Sequence, residues 1–246
     1  MIIQLVIASE QGDLNPDSAT YIPVFTEKSS DKASSPCLAT VSYAQAHCTA
    51  QYVGISTENC LLNLTQIHPF ETVQNAEEGS FFSKSELIDK TSLHALGYYS
   101  SDIAIPENTA LIVPPPCSWL NSDYMSGVYR HVMWYWWHRR ETDFEILSSI
   151  IASHCPEYSL DLDSYREDSV GFPFGSSIME RSLFNEYAAW LEPLINAYLT
   201  ELALDKDVSW VESLAPDIVA RHLLAIFVKH VQRTQGSECI YSAPLH

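Results

Sequence analysis

The chain has 246 residues, of which 46% are hydrophobic and 18% are charged, and this composition excludes an intrinsically disordered protein. The 31 acidic residues outnumber the 13 basic ones, which gives a net charge of −18 at pH 7. A field of that sign repels phosphate backbones, so we expect no nucleic acid as a partner.

The cysteines and the N-terminus favour a cytoplasmic protein. The six cysteines form no CxxC pair and lack the spacing of a zinc site, so we expect mostly buried thiols rather than a disulfide framework. The opening MIIQLVIASE is apolar, but it lacks the basic start of a signal peptide and reaches Glu10 early. No apolar run approaches the roughly 18 residues of a transmembrane helix, so we expect the chain not to span a membrane.

The first half of the chain alternates short apolar runs with polar segments. Runs rich in β-branched residues are typical of buried parallel strands, and Pro23 opposes a helix in the run around it. The predicted strands are residues 2–8, 21–25, 52–55, 102–106 and 110–113, and the predicted helices of this half are residues 38–50 and 83–90.

The second half is predicted to be mostly helical. Phe184, Tyr187, Leu191 and Leu194 recur with the 3.6-residue period of a helix. The helices predicted here are residues 126–139, 141–154, 182–202 and 216–233, and one strand is predicted within residues 170–179. Strands that alternate with helices predict an α/β fold with a mainly parallel sheet covered by helices.

Several short motifs follow one another in an order typical of one family. They are Ile7-Ala8-Ser9-Glu10, Tyr21-Ile22-Pro23-Val24, Tyr52-Val53-Gly54-Ile55, Asp102-Ile103-Ala104-Ile105-Pro106, His138 with Asp143-Phe144, Pro156-Glu157-Tyr158, and a final set of Met179, Phe184, Tyr187, Trp190 and Leu191. The final set is the most specific. In these motifs the chain resembles the bacterial capsule and lipopolysaccharide glycosyltransferase-like group known as domain of unknown function 4422.

This resemblance implies a GT-A-type, Rossmann-like fold in a single domain over residues 1–246. Residues 1–115 would form a nucleotide-binding half, and residues 116–246 a helix-rich acceptor half. The implied activity is transfer of a sugar from a nucleotide sugar, by resemblance a UDP-hexose, to a glycan or other hydroxyl acceptor in polysaccharide biosynthesis.

Three polar signatures depart from the family pattern. The family's His is Glu10 here, its His-Tyr-Arg-Arg is Ser56 to Asn59, and its Glu before Arg221 is Ala220. Two other interpretations therefore stay open. One is a non-catalytic sugar- or nucleotide-binding relative or partner subunit, and the other is a helical interaction protein without a ligand.

The strand ends are the expected place for the nucleotide. By resemblance, Ala8, Ser9 and Glu10, together with Tyr21 and Pro23, would bind it. Glu58 and Asn59 directly follow the strand at residues 52–55 and would lie near the diphosphate. Carboxylate oxygens suit Mg²⁺ or Mn²⁺, so Glu58 is a candidate metal ligand and catalytic residue. An ordinary polar turn and a metal-independent reaction are the alternatives.

A second candidate metal site is the triplet Asp161-Leu162-Asp163, because Asp-x-Asp is the usual metal signature of GT-A enzymes. Two such triplets occur in the chain, where chance alone would give roughly 0.6, so the motif is a weak signal. The other triplet is Asp205-Lys206-Asp207. We predict that Asp161 and Asp163 lie in a loop after Pro-Glu-Tyr, where solvated carboxylates are the alternative to metal ligands.

The segment His131 to Arg140 (HVMWYWWHRR) combines aromatic and cationic side chains. Arg139 and Arg140 could bind a sugar diphosphate beside aromatic rings, and His138 is a candidate catalytic residue. A core helix with charged ends is the alternative.

Asp143 is the candidate base that deprotonates the acceptor hydroxyl, and an ordinary acidic residue in a first helical turn is its alternative. Ser176 and Ser177 could line the acceptor side, or belong to an ordinary loop. We expect His222 to be a core histidine rather than a diphosphate ligand. The sequence leaves the oligomeric state open.

Overall fold

The computed structural model describes residues 3–9, 21–25, 36–57, 61–70, 95–97, 105–118, 141–168, 170–171, 176–203 and 215–245. In these ranges the strands are β1 (Ile3–Ser9), β2 (Tyr21–Phe25), β3 (Tyr52–Thr57), β4 (His68–Pro69), β5 (Leu111–Val113), β6 (Cys117–Ser118), β7 (Val170–Gly171), β8 (Ser177–Glu180) and β9 (Ile240–Ser242). The α-helices are α1 (Pro36–His47), α2 (Glu141–His154), α3 (Ser159–Glu167), α4 (Arg181–Ala203) and α5 (Ala215–Gln235).

Seven strands form one sheet in the order β2-β1-β3-β8-β5-β9-β4, and β6 pairs with β7 separately. Strands β1, β2, β3, β5 and β9 run in one direction, whereas β8 and β4 run in the opposite one. The predicted α/β class with a mainly parallel sheet covered by helices is therefore confirmed. Strand β8 is the antiparallel exception at its centre.

The predicted elements agree with the structure wherever the chain carries a strong apolar pattern. Strands β1, β2, β3 and β5 match predicted strands, and α1, α2, α4 and α5 match predicted helices. The strand predicted at residues 102–106 is wrong at its end, because Pro106 accepts hydrogen bonds from the amide and hydroxyl of Thr109 in a turn. The helices predicted at residues 83–90 and 126–139 lie outside the described residues.

The sheet separates two apolar layers because side chains alternate along each strand. Val6, Ile55 and Val113 belong to the larger cluster, which includes inward-facing residues of α1, α2, α4 and α5. Leu5 and Ile178 face the other way, into a smaller cluster with Leu61 and other residues of the loops. The described helices therefore cover one face of the sheet, where most of the apolar surface is buried.

The amino-terminal edge of the parallel strands is held by hydrogen bonds from polar side chains. Arg181, the first residue of α4, donates to the carbonyl oxygens of Cys48 (2.8 Å) and Ala50. Gln4 accepts from the amides of Thr49 and Ala50, the latter at 2.7 Å. These bonds satisfy backbone groups in the connection between α1 and β3, which would otherwise lack partners.

Gly54 is required by the close approach of three strands. A Cβ atom there would lie 2.6 Å from Leu5 Cδ1 and 3.1 Å from Ile178 Cγ1. We predict that Gly54→Ala lowers the free energy of unfolding by about 1–3 kcal/mol, because the core must shift to accept the methyl group. Urea denaturation measures this, with the exposed Ser42→Ala as the control. Equal stability of the two variants would contradict the crowding seen at Gly54.

Candidate functional site

The candidate site lies at the sheet edge where the parallel strands end. Ser9 closes β1, Thr57 closes β3, and Ser242 closes β9. Ser177 begins the antiparallel β8, so it comes to the same edge and pairs with Ile55 of β3. In open α/β sheets ligands bind in the crevice outside the carboxyl ends of the strands. The topology thus gathers hydroxyl-bearing residues at the edge where such a fold binds its ligands.

Two neighbouring hydroxyls at this edge, those of Ser56 and Ser176, are joined across the central strands. Ser56 Oγ and Ser176 Oγ lie 2.9 Å apart in a hydrogen bond, and both side chains are buried. The bond links the end of β3 to the residue that enters β8. It fixes the local register at the point where a ligand would meet the sheet.

Two other serines are buried and lack a hydrogen-bond partner among the described residues. They are Ser177, with 0% of its surface exposed, and Ser242, with 7%. Ser242 pairs with Val113 and His68, and one further step of the β5–β8 register brings Ser177 beside Val113. Leaving a buried hydroxyl unsatisfied costs about 1–3 kcal/mol, so stability alone does not account for these two serines.

The predicted nucleotide-binding residues of β1 and β2 belong to adjacent strands. Ala8 and Ser9 are the last two residues of β1, and Ala8 pairs with Thr57 of β3. Pro23 pairs with Ile7, whereas Tyr21 begins β2 beside Leu5, further from the edge. The backbone therefore places Ala8, Ser9 and Pro23 near the carboxyl edge. Their role in binding a nucleotide stays a prediction.

Six predicted site residues lie outside the described ranges: Glu10, Glu58, Asn59, His138, Arg139 and Arg140. Asp143 lies in the first turn of α2, whose bounds match the predicted helix, and only its backbone is described. The catalytic, diphosphate-binding and metal-binding roles of these residues stay predictions.

The prediction that Asp161 and Asp163 lie in a loop is wrong, because both belong to the helix α3. A single 3₁₀ turn, Pro156–Tyr158, leads directly into that helix. Asp161 is 2% exposed and points at α5, whereas Asp163 is exposed to solvent. The helix therefore directs the two carboxylates to different surroundings.

The carboxylate of Asp161 is held by two cationic or ionisable groups of α5. Its Oδ1 accepts from Arg233 Nε (2.7 Å) and its Oδ2 from Arg233 Nη2 (2.8 Å), which is a bidentate ion pair. His230 Nδ1 lies 2.8 Å from Oδ2 as well. The hydrogen bond to Asp161 raises the pKa of Arg233 above its ordinary value. These contacts favour a structural role for Asp161, which joins α3 to α5.

No group of three or more His, Cys, Asp or Glu residues in the described ranges is arranged to hold a metal ion. Both oxygens of Asp161 are already engaged, and Glu58 lies outside these ranges. A metal ion bound by Glu58 therefore stays a prediction.

His222 and three cysteines are core residues, as predicted. His222 is 3% exposed, and its Nδ1 lies 2.6 Å from the hydroxyl of Tyr165. Cys48, Cys155 and Cys239 are buried and form no disulfide. Burial raises the pKa of the Cys48 thiol to about 11, which keeps it protonated at neutral pH.

Sequence reasoning missed Ser242 and the partners of Asp161. Strand β9 has three residues and β4 has two, too few for a periodic pattern. The pairing of Asp161 with Arg233 joins residues 72 positions apart, which no local pattern indicates. A signal for Arg233 exists only in its position in the last turn of a helix, where basic residues are common.

The fold defined by this sheet and its helices is glycosyltransferase-like. The whole chain superposes on 45% of the WbbM bifunctional glycosyltransferase, solved in its apo form, with a TM-score of 0.67 and 14% sequence identity. The chain thus spans less than half of that protein, and the likeness is one of fold. No curated protein matches the sequence.

The family is identified by the sequence itself. Residues 80–232 match the family described as "Domain of unknown function (DUF4422)", and the chain belongs to that family. The resemblance inferred from the motifs is therefore confirmed. None of the helices in the described ranges is long and apolar enough to cross a membrane.

The two aspartates of α3 provide a matched pair for a test of their role. We predict that Asp161→Asn lowers the free energy of unfolding by about 1–3 kcal/mol, because Arg233 and His230 lose a charged acceptor. Asp163→Asn, on the exposed side, should change it by less than about 0.5 kcal/mol. Thermal or urea unfolding measures both. If they instead had equal stability and lost a metal-dependent activity alike, the metal-ligand role would be supported over the structural one.

Proposed function

We propose that this protein is a glycosyltransferase that moves a hexose from a UDP-hexose to a hydroxyl group of a glycan or other acceptor. The observation that carries the proposal is the set of hydroxyl-bearing residues at the carboxyl edge of a glycosyltransferase-like sheet. In this proposal the reaction takes place at that edge, in the cytoplasm, and contributes to polysaccharide biosynthesis.

The nucleotide would bind at the adjoining ends of β1, β2 and β3. Ala8 and Ser9 end β1, and Pro23 of β2 lies beside Ile7 of β1. Backbone amides at strand ends, together with Glu10, would contact the base and ribose, whereas the start of β2 at Tyr21 lies further from this edge. Arg139 and Arg140 would neutralise the diphosphate as it leaves, with Glu58 and Asn59 nearby, and a divalent cation could share that role.

Buried serine hydroxyls suit the sugar-binding part of this site. A hydroxyl both donates and accepts, so it can bind any orientation of a sugar hydroxyl. Ser177 and Ser242 are buried among apolar residues such as Ile55 and Val113, where a hydrogen bond is strong and competition from water is weak. We propose that these two serines contact the polar groups of the ligand when its binding displaces the residues that cover their hydroxyls.

Acceptor activation needs a base, and Asp143 is the residue proposed for it. Removal of the acceptor's proton by a carboxylate makes the oxygen a stronger nucleophile towards the sugar carbon. We predict that Asp143→Asn abolishes transfer while leaving UDP affinity and thermal stability unchanged. Glu145→Gln, an exposed change on the same helix, is the matched control for charge. Full activity of Asp143→Asn would remove this residue from the mechanism.

The donor can be identified by a thermal-shift screen of nucleotide sugars, with and without Mn²⁺. A donor at about 100 times its Kd adds about 2.7 kcal/mol to the free energy of unfolding and so raises Tm. We expect a UDP-hexose to give the largest shift. If UDP binds but no nucleotide sugar is hydrolysed with any divalent cation, the result would support a non-catalytic binding protein instead. No shift with any nucleotide would overturn the proposal.

Replacement of Ser177 distinguishes a role in ligand binding from a role in stability. We predict that Ser177→Ala leaves the free energy of unfolding unchanged or higher, since the hydroxyl has no partner among the described residues. The same change should weaken UDP-hexose binding about tenfold through the loss of one hydrogen bond in a dry site. Calorimetry measures the affinity, with the exposed Ser182→Ala as the control. A loss of stability without a loss of affinity would assign Ser177 to the fold alone.

A further inference from the structure

A second concave site lies in the helical layer. It is a pocket of about 410 Å³ between the end of α2, the 3₁₀ turn, α4 and α5. This volume falls within the range of pockets that bind small ligands, about 300–1,000 Å³. Its walls combine carboxylates, imidazoles, aromatic rings and aliphatic side chains.

None of the described residues that form the candidate transfer site at the carboxyl edge lines this pocket. Its α4 wall, around Trp190, is in a helix that starts at the amino edge, because Arg181 bonds to the carbonyl of Gln51 just before β3. Its α5 wall, at His230, is in the last two turns of a helix that leads into the start of β9. These walls belong to the helical layer, whereas the candidate transfer site is formed by the ends of the strands.

The base of the pocket is a rigid aromatic stack. The ring of Tyr158 stacks on Trp190 at 4.6 Å and on His230 at 4.0 Å, with both planes within about 25° of parallel. Two rings at these distances must cover opposite faces of Tyr158. His230 is fixed in turn by Asp161. A base that is already ordered loses little conformational entropy when a ligand binds.

The walls carry hydrogen-bond acceptors. Glu157 and Glu186 are exposed carboxylates on two different elements. Burial and the negative charges of Glu186 and Glu157 raise the pKa of Tyr158 above its ordinary value, which indicates that both carboxylates act on the pocket base. Pro193 within α4 has no N–H, so the carbonyl of Ala189 lacks its usual helical donor, and both residues line the pocket.

An imidazole adds a second type of polar group. His154 Nδ1 lies 3.1 Å from the carbonyl oxygen of Ile150 and 2.9 Å from Ser153 Oγ. In the neutral tautomer whose Nδ1 donates to that carbonyl, Nε2 is an acceptor, and His154 lines the pocket. Apolar surface from Pro193, Leu194 and Trp190 lies between these polar groups.

We propose that this pocket binds a neutral monosaccharide unit, separate from the transfer site. A pyranose ring has hydroxyl donors around its rim and C–H groups on its faces, and the pocket has acceptors interspersed with apolar surface. A cationic ligand is the alternative occupant, because Glu157 and Glu186 line the pocket and the charge of Arg233 is paired with Asp161; the test below distinguishes the two. This binding goes beyond the proposed transfer and can occur whether or not transfer does.

The test uses the histidines of the full-length chain as NMR reporters. Methyl glycosides of glucose, galactose, mannose and rhamnose are titrated singly to about 100 mM, the range for weak sugar sites. We expect at least one glycoside to shift the ring signals of His154 and His230 in a saturable way. The signals of His47 and His68, exposed on α1 and β4, are the internal controls and should not move.

Matched variants on α4 separate pocket binding from a general charge effect. We expect Glu186→Gln to weaken glycoside binding about fivefold or more, since a charged acceptor is replaced by a neutral one. Glu192→Gln removes an equal charge outside the pocket and should change the affinity by less than twofold. Circular dichroism confirms that both variants keep the fold.

Three results would overturn the proposal. The first is that no glycoside moves the signals of His154 and His230. The second is that Glu186→Gln and Glu192→Gln weaken binding equally. The third is that arginine amide, but no glycoside, shifts these signals in a way that about 0.5 M NaCl abolishes, which would make the pocket a cation site. Because the readout is binding without a nucleotide sugar, failure here leaves the transfer proposal standing.

Discussion

The insertion of β8 between β3 and β5 is the constraint on which the rest of the structure depends. This strand pairs antiparallel with both neighbours, so a segment from the second half of the chain closes the centre of a sheet begun by the first half. Its two ends serve different purposes. Ser177 begins it at the carboxyl edge, and Arg181, directly after it, ties α4 to the connection before β3. One short strand thus joins the candidate site to the helical layer.

The sheet contains buried polar side chains that lower the stability of the fold. Ile178 and Met179 of β8 are fully buried, as their apolar neighbours in β3 and β5 are. Ser177 of the same strand and Ser242 of β9 are also buried, but they are polar and lack partners among the described residues. Alanine at these positions would pack as well and would leave no hydroxyl unsatisfied. Residues that weaken a fold at one edge are candidates for function, because stability gives no reason to keep them.

The success of the sequence-based predictions followed the length and burial of each element. The runs at β1, β3 and β5 are mostly apolar. Phe184, Tyr187 and Leu191 mark α4, because burial on one face requires that periodicity. Strands β4 and β9 have only two and three residues, too few for a pattern that predicts a strand. They are strands because β9 pairs with β5 and β4 pairs with β9. The same reason hides Ser242, whose place in the site comes from pairing rather than from any local motif.

The pair Asp161 and Asp163 shows why a short motif cannot be interpreted without its secondary structure. In a strand, residues two apart point to the same face, so two carboxylates at that spacing can bind one cation together. In a helix, residues two apart lie about 200° apart around the axis and face different surroundings. Here the triplet is helical, so Asp161 is buried against Arg233 while Asp163 faces solvent. The same three letters that would indicate a metal site at a strand end therefore form, on α3, one half of an ion pair between helices.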